Sequence, residues 1–150
     1  GRSRAEWDAA LARSLTTAFR MCRAVVPVMC AAGCGRIVSV GSTTGTVNAM
    51  PGQSTYTAAK AGLVGLSRAL ALEVVGAGVT VNVVAPGYIA TGSQLDFEAT
   101  AAAAGPIGRS GTPAEIAACV GFLAHESASF VTGAVLVADG GHGLPETWVR

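Results

Sequence analysis

Lysine is all but missing from this chain of 150 residues: every basic side chain except Lys60 is an arginine. Charge of either sign is scarce, at 13% of residues with a net +1, and no basic stripe or tail is present, which argues against nucleic acid as a partner. The cysteines Cys22, Cys30, Cys34 and Cys119 form no CxxC pair and no Cys/His metal spacing. Buried free thiols in a reducing cytoplasm are therefore expected, with no metal. His125 and His142 lack a His or Cys neighbour at ligand spacing and are expected as solvated loop histidines. Long hydrophobic runs are also missing despite a mean hydropathy of +0.50. The run over residues 74–95 is broken by Asn82, Pro86 and glycines, and residues 24–35 are too few to span a bilayer. Neither a transmembrane helix nor a signal peptide is expected. A Gly-rich strand-turn-helix fingerprint is missing too: Gly76-Ala77-Gly78 follows a helical pattern and precedes a strand pattern, the reverse of the required context.

What is present is one domain's worth of alternating helix and strand patterns. Trp7, Leu11, Leu15, Ala18, Cys22 and Val25 recur at helical spacing, which predicts an amphipathic helix over residues 6–26 ending near Pro27. Arg36-Ile37-Val38-Ser39-Val40 predicts a short buried strand. Residues 55–75 predict a second helix with Ala59, Leu63, Leu66 and Leu70 on one face, stopped by Gly76 and Gly78. Residues 79–84 form another β-branched strand, ended by Pro86-Gly87. Residues 94–104 have weak helical character, expected as a mobile flap. Thr112-Pro113-Ala114-Glu115 sets a cap, an N1 proline and an N3 glutamate in capping-box order ahead of Ile116, Val120 and Leu123. Residues 134–138 predict the last strand. Nearly continuous apolar strands alternating with helices predict an α/β fold, with three parallel strands covered on both faces.

The chemistry concentrates around Tyr56-Thr57-Ala58-Ala59-Lys60. On a helix, Tyr56 and Lys60 lie on one face, and a nearby cation favours an ionised phenol, bringing a tyrosine into range as a general acid or base. In a chain that uses arginine everywhere else, the compact ammonium at position 60 is not interchangeable with a guanidinium fork. A Tyr–Lys pair at this spacing is usually only a surface contact, so its surroundings decide. Ligands of open parallel sheets bind beyond the carboxyl ends of the strands. Those ends carry Gly41-Ser42-Thr43-Thr44-Gly45 and Ala85-Pro86-Gly87-Tyr88-Ile89-Ala90-Thr91. Ser42 is able to donate to a substrate oxygen or merely to cap its loop, and Pro86-Gly87 is able to serve as no more than a turn.

Ser42, Tyr56 and Lys60, followed by Ala61-Gly62, Val81-Asn82-Val83-Val84-Ala85-Pro86-Gly87, Val131-Thr132-Gly133 and Asp139-Gly140-Gly141, resemble the short-chain dehydrogenase/reductase family. The likeness is to the type that includes 3-oxoacyl-acyl-carrier-protein reductases, and it runs from Trp7 to Gly141. It implies the carboxyl-terminal half of a Rossmann-type doubly wound sheet, so that residues 1–150 form a single partial domain. The Gly-rich amino-terminal half, which holds most of the dinucleotide site, would lie outside this chain. The resemblance further implies an NAD(P)-dependent oxidoreductase acting on a small-molecule carbonyl or alcohol, with NAD and NADP both open. Tyr56 would be the acid/base, Lys60 its support and a ribose ligand, and Ser42 the holder of the substrate oxygen. Pro86, Gly87, Ile89 and Thr91 would lie along the nicotinamide. A cytoplasmic homo-oligomer, dimer or tetramer, would be expected of the complete protein.

Two departures bear on those roles. The Ser42 to Tyr56 interval is one residue longer than the commonest family spacing; Thr43 competes for the role, and Ser42 is preferred because it stands three before Gly45. Ser14, before Leu15, occupies the place where such proteins usually carry an asparagine holding a relay water. The chain opens without an initiator methionine, so a piece of a longer polypeptide is expected, and a non-catalytic interaction module is the alternative to the enzyme. A serine hydrolase is set aside, because Gly41-Ser42-Thr43-Thr44-Gly45 is not a GxSxG elbow.

Overall fold

A computed structural model describes residues 2–144. The elements are α1 (Arg4–Leu11), a π-helical turn (Ala12–Thr16), α2 (Thr17–Ala32), β1 (Gly35–Val40), α3 (Ser54–Val74), β2 (Val79–Pro86), α4 (Asp96–Ala104), α5 (Pro113–Ala124) and β3 (Val135–Ala138). The three strands are parallel in the order β1-β2-β3. Gly35 pairs with Val79 through to Val40 with Val84, and Val83 pairs with Val135 through to Pro86 with Ala138.

β2 is buried along its length up to Ala85, as expected of a strand with neighbours on both edges and helices on both faces. On one face Val79 and Val81 pack with Ala71 and Val74 of α3, and Val26, Met29 and Cys30 of α2 close over them. Burying each such valine stabilises by ~1.5–3 kcal/mol. On the other face α5 contacts β1 and β2 and buries Leu123. Asn82 sits fully buried in β2, where its amide donates to Val131 O (2.8 Å) and its Oδ1 accepts from Ala134 N (3.1 Å). Bonded at both its nitrogen and its oxygen, the buried amide ties β2 to the start of β3, and these bonds offset its desolvation cost.

Several expectations are corrected. The first helix does not stop at Pro27; Pro27 lies inside α2, which runs on to Ala32 and is ended by Gly33 in the left-handed conformation (φ 65°). Pro27 is exposed, so water is available to the carbonyl that its missing N–H leaves without a helical partner. The start is earlier as well, because Ser3 and Glu6 form a capping box. As a result Arg4–Ala32 is, by length and composition, one helix among the described residues long and apolar enough to cross a membrane. Its apolar side chains have another use: Leu15 fills the space above Gly62 of α3, and Met29 that above Gly35.

β1 is not buried as expected; Ile37 to Ser39 are half-buried and Val40 is exposed, because β1 is an edge strand of this sheet. None of the four thiols is buried as expected: Cys22, Cys30 and Cys119 are half-buried and Cys34 is exposed. The flap forms a regular helix, α4, with Glu98 closing its first turn.

The capping box of α5 is present as its sequence predicts, and Arg109 extends it: its guanidinium binds both oxygens of Glu115 (2.7 and 3.0 Å), which also accepts from Thr112 N. The Arg109 hydrogen bond first, and the Thr112 amide second, lower the Glu115 pKa from 4.5 to about 2. A carboxyl held lower in the folded chain than in the unfolded one contributes stability that is complete above pH 4.5 and lost as pH falls through about 2. Acid titration of urea stability is expected to show a slope in that window that Glu115→Gln reduces, the remainder belonging to Glu6, which its cap on Ser3 and Arg2 also lowers to about 2; an unchanged slope would contradict the role of the Arg109–Glu115 pair.

Candidate active site

The loop after β1 continues the strand's line alongside β2. Gly41 N donates to Val84 O (2.7 Å) and Thr43 N to Pro86 O (2.9 Å), which fixes Ser42 beyond the carboxyl ends of β1 and β2. Ser42 Oγ accepts from Thr44 N (3.2 Å). A hydroxyl has one proton and two acceptor sites, so this loop bond leaves the proton available for a substrate oxygen. The loop is then pressed onto α3. Gly45 has φ 97°, and a Cβ there would stand 2.6 Å from Thr57 O and 2.9 Å from Ala61 N. Only glycine permits both that conformation and that approach.

α3 begins at Ser54, so Tyr56 lies in its first turn and Lys60 one turn further on. The Lys60 ammonium donates to Val40 O (2.9 Å), the last carbonyl of β1, and stands 5.6 Å from the centre of the Tyr56 ring. Partial burial pulls the Lys60 pKa below the usual 10.5. Tyr56 itself is 37% exposed.

Ser42, Tyr56, Gly87, Tyr88, Glu98 and His142 line one cavity of about 550 Å³. The structure thus brings Ser42, Tyr56 and Gly87 together from three segments. Lys60 stands beside Tyr56 and is not among the residues lining the cavity. Thr43, the competing hydroxyl, lines it too but is buried, 8% exposed. Pro86 ends β2 and is not among the residues lining the cavity. Ile89 faces a neighbouring, more apolar cavity of about 490 Å³ with Ile107, Ile116 and Val137. Its segment is bridged to Gly111: Ala90 N donates to Gly111 O (2.8 Å) and Gly111 N to Tyr88 O (2.9 Å). By strand alternation the N–H and C=O of Ile89 point away from that bridge. Thr91 is exposed, shares a hydrogen bond with Ser93 (3.2 Å) and does not line the cavity of Ser42 and Tyr56. Ser14 falls in the π-helical turn, half-buried, where that turn packs on α3.

A sequence model of the family described as enoyl-(acyl carrier protein) reductase matches residues 2–143. The chain belongs to the short-chain dehydrogenase/reductase family. It is similar to the 3-oxoacyl-(acyl-carrier-protein) reductase of Salmonella typhimurium, 45% identical over 91% of this chain and 57% of that protein. Nodulation protein G of Azospirillum brasilense is 42% identical over 92% of this chain and 57% of its own length. Among solved structures, a putative gluconate dehydrogenase from Agrobacterium tumefaciens superposes with a TM-score of 0.89 at 31% identity, covering 96% of this chain and 59% of that one. An acetoin dehydrogenase from Salmonella typhimurium does so with 0.85 at 35%, covering 95% and 57%. The chain therefore spans a little under 60% of the length of these reductases and dehydrogenases.

Among the cavity residues that sequence did not single out are two ionisable ones, Glu98 and His142. His142 is not a solvated loop histidine: its ring packs edge-on against Tyr88 (centroids 5.0 Å, 84° between planes). Glu98 is half-buried on α4, while Asp96, Phe97, Ala99 and Thr100 around it are exposed. The signal for His142 was its place directly after Asp139-Gly140-Gly141, a turn that Asp139 fixes by accepting from Gly141 N and Gly143 N. Gly45→Ala is expected to destabilise the chain by more than ~1 kcal/mol in urea unfolding; an unchanged midpoint would show that the loop is not held against α3 as described.

Proposed function

We propose that the complete protein carrying this chain is an NAD(P)-dependent oxidoreductase that interconverts a carbonyl compound and its alcohol, with Tyr56 as the acid/base. The single observation that carries the reading is the cavity in which Ser42 and Tyr56 meet beyond the sheet, with Lys60 anchored on Val40 O beside the Tyr56 ring. The names of the curated relatives make 3-oxoacyl thioesters one candidate substrate class.

The residues present suit the nicotinamide end of a dinucleotide. An ammonium has three donors, of which Val40 O takes one, so Lys60 has donors to offer a ribose diol. The Ile89 main chain, turned away from the Gly111 bridge, suits a carboxamide, with Thr91 two residues beyond. Pro86 and Gly87 keep that segment close to the sheet: a Cβ at Gly87 would lie 2.7 Å from that of Asp139. A bound nicotinamide supplies or accepts the hydride.

This chain's residues handle the oxygen and the proton. Ser42 donates to the carbonyl oxygen and holds it next to the Tyr56 hydroxyl. As the carbonyl carbon gains its new C–H bond, the Tyr56 O–H bond breaks and its proton forms the alcohol O–H. The resulting phenolate lies beside the Lys60 ammonium, whose charge stabilises the negative charge as it builds up. In oxidation the same atoms move in reverse. Ser14, in the turn packed on α3, stands where the family's relay asparagine would, and its shorter side chain holds a relay water less well.

The test joins these residues to the amino-terminal half of a relative and follows NAD(P)H oxidation with small ketones and acyl thioesters, circular dichroism reporting folding. Tyr56→Phe is expected to lower turnover ~10²–10⁴-fold. Lys60→Arg is expected to fall by a similar order because the fork displaces the charge, and Ser42→Ala to be costly as well. Near-normal turnover in a folded Tyr56→Phe protein would overturn the mechanism.

The complete protein is also proposed to be a homo-oligomer built partly on α1, α2 and α3. Phe19, Met21, Val28 and Leu72 are exposed there, more apolar surface than the sheet uses. Light scattering is expected to give a dimer or tetramer, and a monomer at working concentration would contradict it.

A further inference from the structure

The cavity that Ser42 and Tyr56 share is unusual in the kind of side chain that surrounds it. Small-molecule sites are lined mostly by apolar groups with a few polar ones. Here hydroxyl, amide, carboxylate and imidazole groups, Glu98 and His142 among them, make up about half of the wall, a larger polar share than such sites usually have. Such a wall is poorly matched to an alkyl chain, which would leave its polar groups without water or partner.

The polar groups are also held in place. His142 is set by its ring contact with Tyr88 and by a backbone bond from its N–H to Asp139 O (3.2 Å). Gly105 makes room for the ring, since a Cβ there would stand 2.8 Å from Nδ1. Glu98 is oriented by its bond from Leu95 N (2.9 Å), which engages Oε2 as the cap of α4. A carboxylate accepts several hydrogen bonds at once, so one cap bond does not exhaust it. Two ordered, ionisable side chains from separate segments thus stand in the same cavity as the reacting pair. Neither has a part in the proton transfer.

We infer that this cavity takes a small hydroxylated carbonyl compound, with Glu98 accepting from a substrate hydroxyl and the His142 imidazole binding another. The inference rests on the proposed reduction at Tyr56 for which group reacts, but it concerns the remainder of the substrate. It assigns Glu98 and His142 as specificity residues and selects hydroxy ketones and polyol-like alcohols over unsubstituted ketones.

The test reads binding without turnover. Erythrulose and butanone share a four-carbon ketone skeleton and differ only in hydroxyls, and both are titrated into the 150-residue chain by ligand-observed NMR. Erythrulose is expected to bind at least about tenfold more tightly, the worth of one or two net hydrogen bonds. Glu98→Gln keeps the cap acceptor of α4 while removing the charge, and His142→Phe keeps the ring on Tyr88 while removing its nitrogens. Each is expected to reduce the preference by roughly three- to tenfold, and Thr100→Ala to leave it unchanged. Equal binding of the two ketones, or a preference untouched by both variants, would overturn the inference. A preference that depends on Glu98 and His142, in a chain whose joined form reduces neither ketone, would sustain it and count against the reduction reading alone.

Discussion

The rest of the structure depends on the complete burial of β2. A strand with no exposed face and no exposed edge needs a neighbour on each side and a helix on each face, and the chain supplies all four in order. β1 and β3 occupy the edges, α3 with α2 one face and α5 the other. Because β2 lies between two parallel neighbours, the loops after β1, β2 and β3 all emerge at one end of the sheet. That is the end at which Ser42, Gly87 and His142 converge.

Placement of the Tyr56–Lys60 pair is a consequence of the same arrangement. α3 must run antiparallel to the strands to return the chain to the start of β2, so its first turns lie at the carboxyl end of β1. Tyr56 and Lys60 occupy those turns. The last carbonyl of β1 then becomes the acceptor that holds the lysine, and Gly45 lets the serine loop reach the helix. A backbone group of the edge strand and a missing side chain in the loop are as much part of the site as the named side chains.

The edge position of β1 and the unburied face of the long first helix share a cause. Both elements carry more apolar surface than three strands are able to cover, as the exposed Val40, Phe19 and Val28 show. The sequence reveals apolar character as a pattern, but whether a given valine is covered depends on what packs against it. That is why a strand with a buried pattern emerges half-buried and why the helix's apolar content resembles that of a membrane span.

Local chemistry determined much of this protein. The α5 capping box, the termination of α3 ahead of Gly78, the β-branched strands and the one-turn separation of Tyr56 and Lys60 all depend on residues a few positions apart, and each stands where the sequence places it. Tertiary structure decided what depends on distant partners. It carried α2 through an exposed Pro27, set His142 against Tyr88 and turned Glu98 inward. It also divided Gly87 and Ile89, two residues apart in the chain, between neighbouring cavities. Sequence spacing defines which groups share a helical turn; only the packing of separate segments determines which share a cavity.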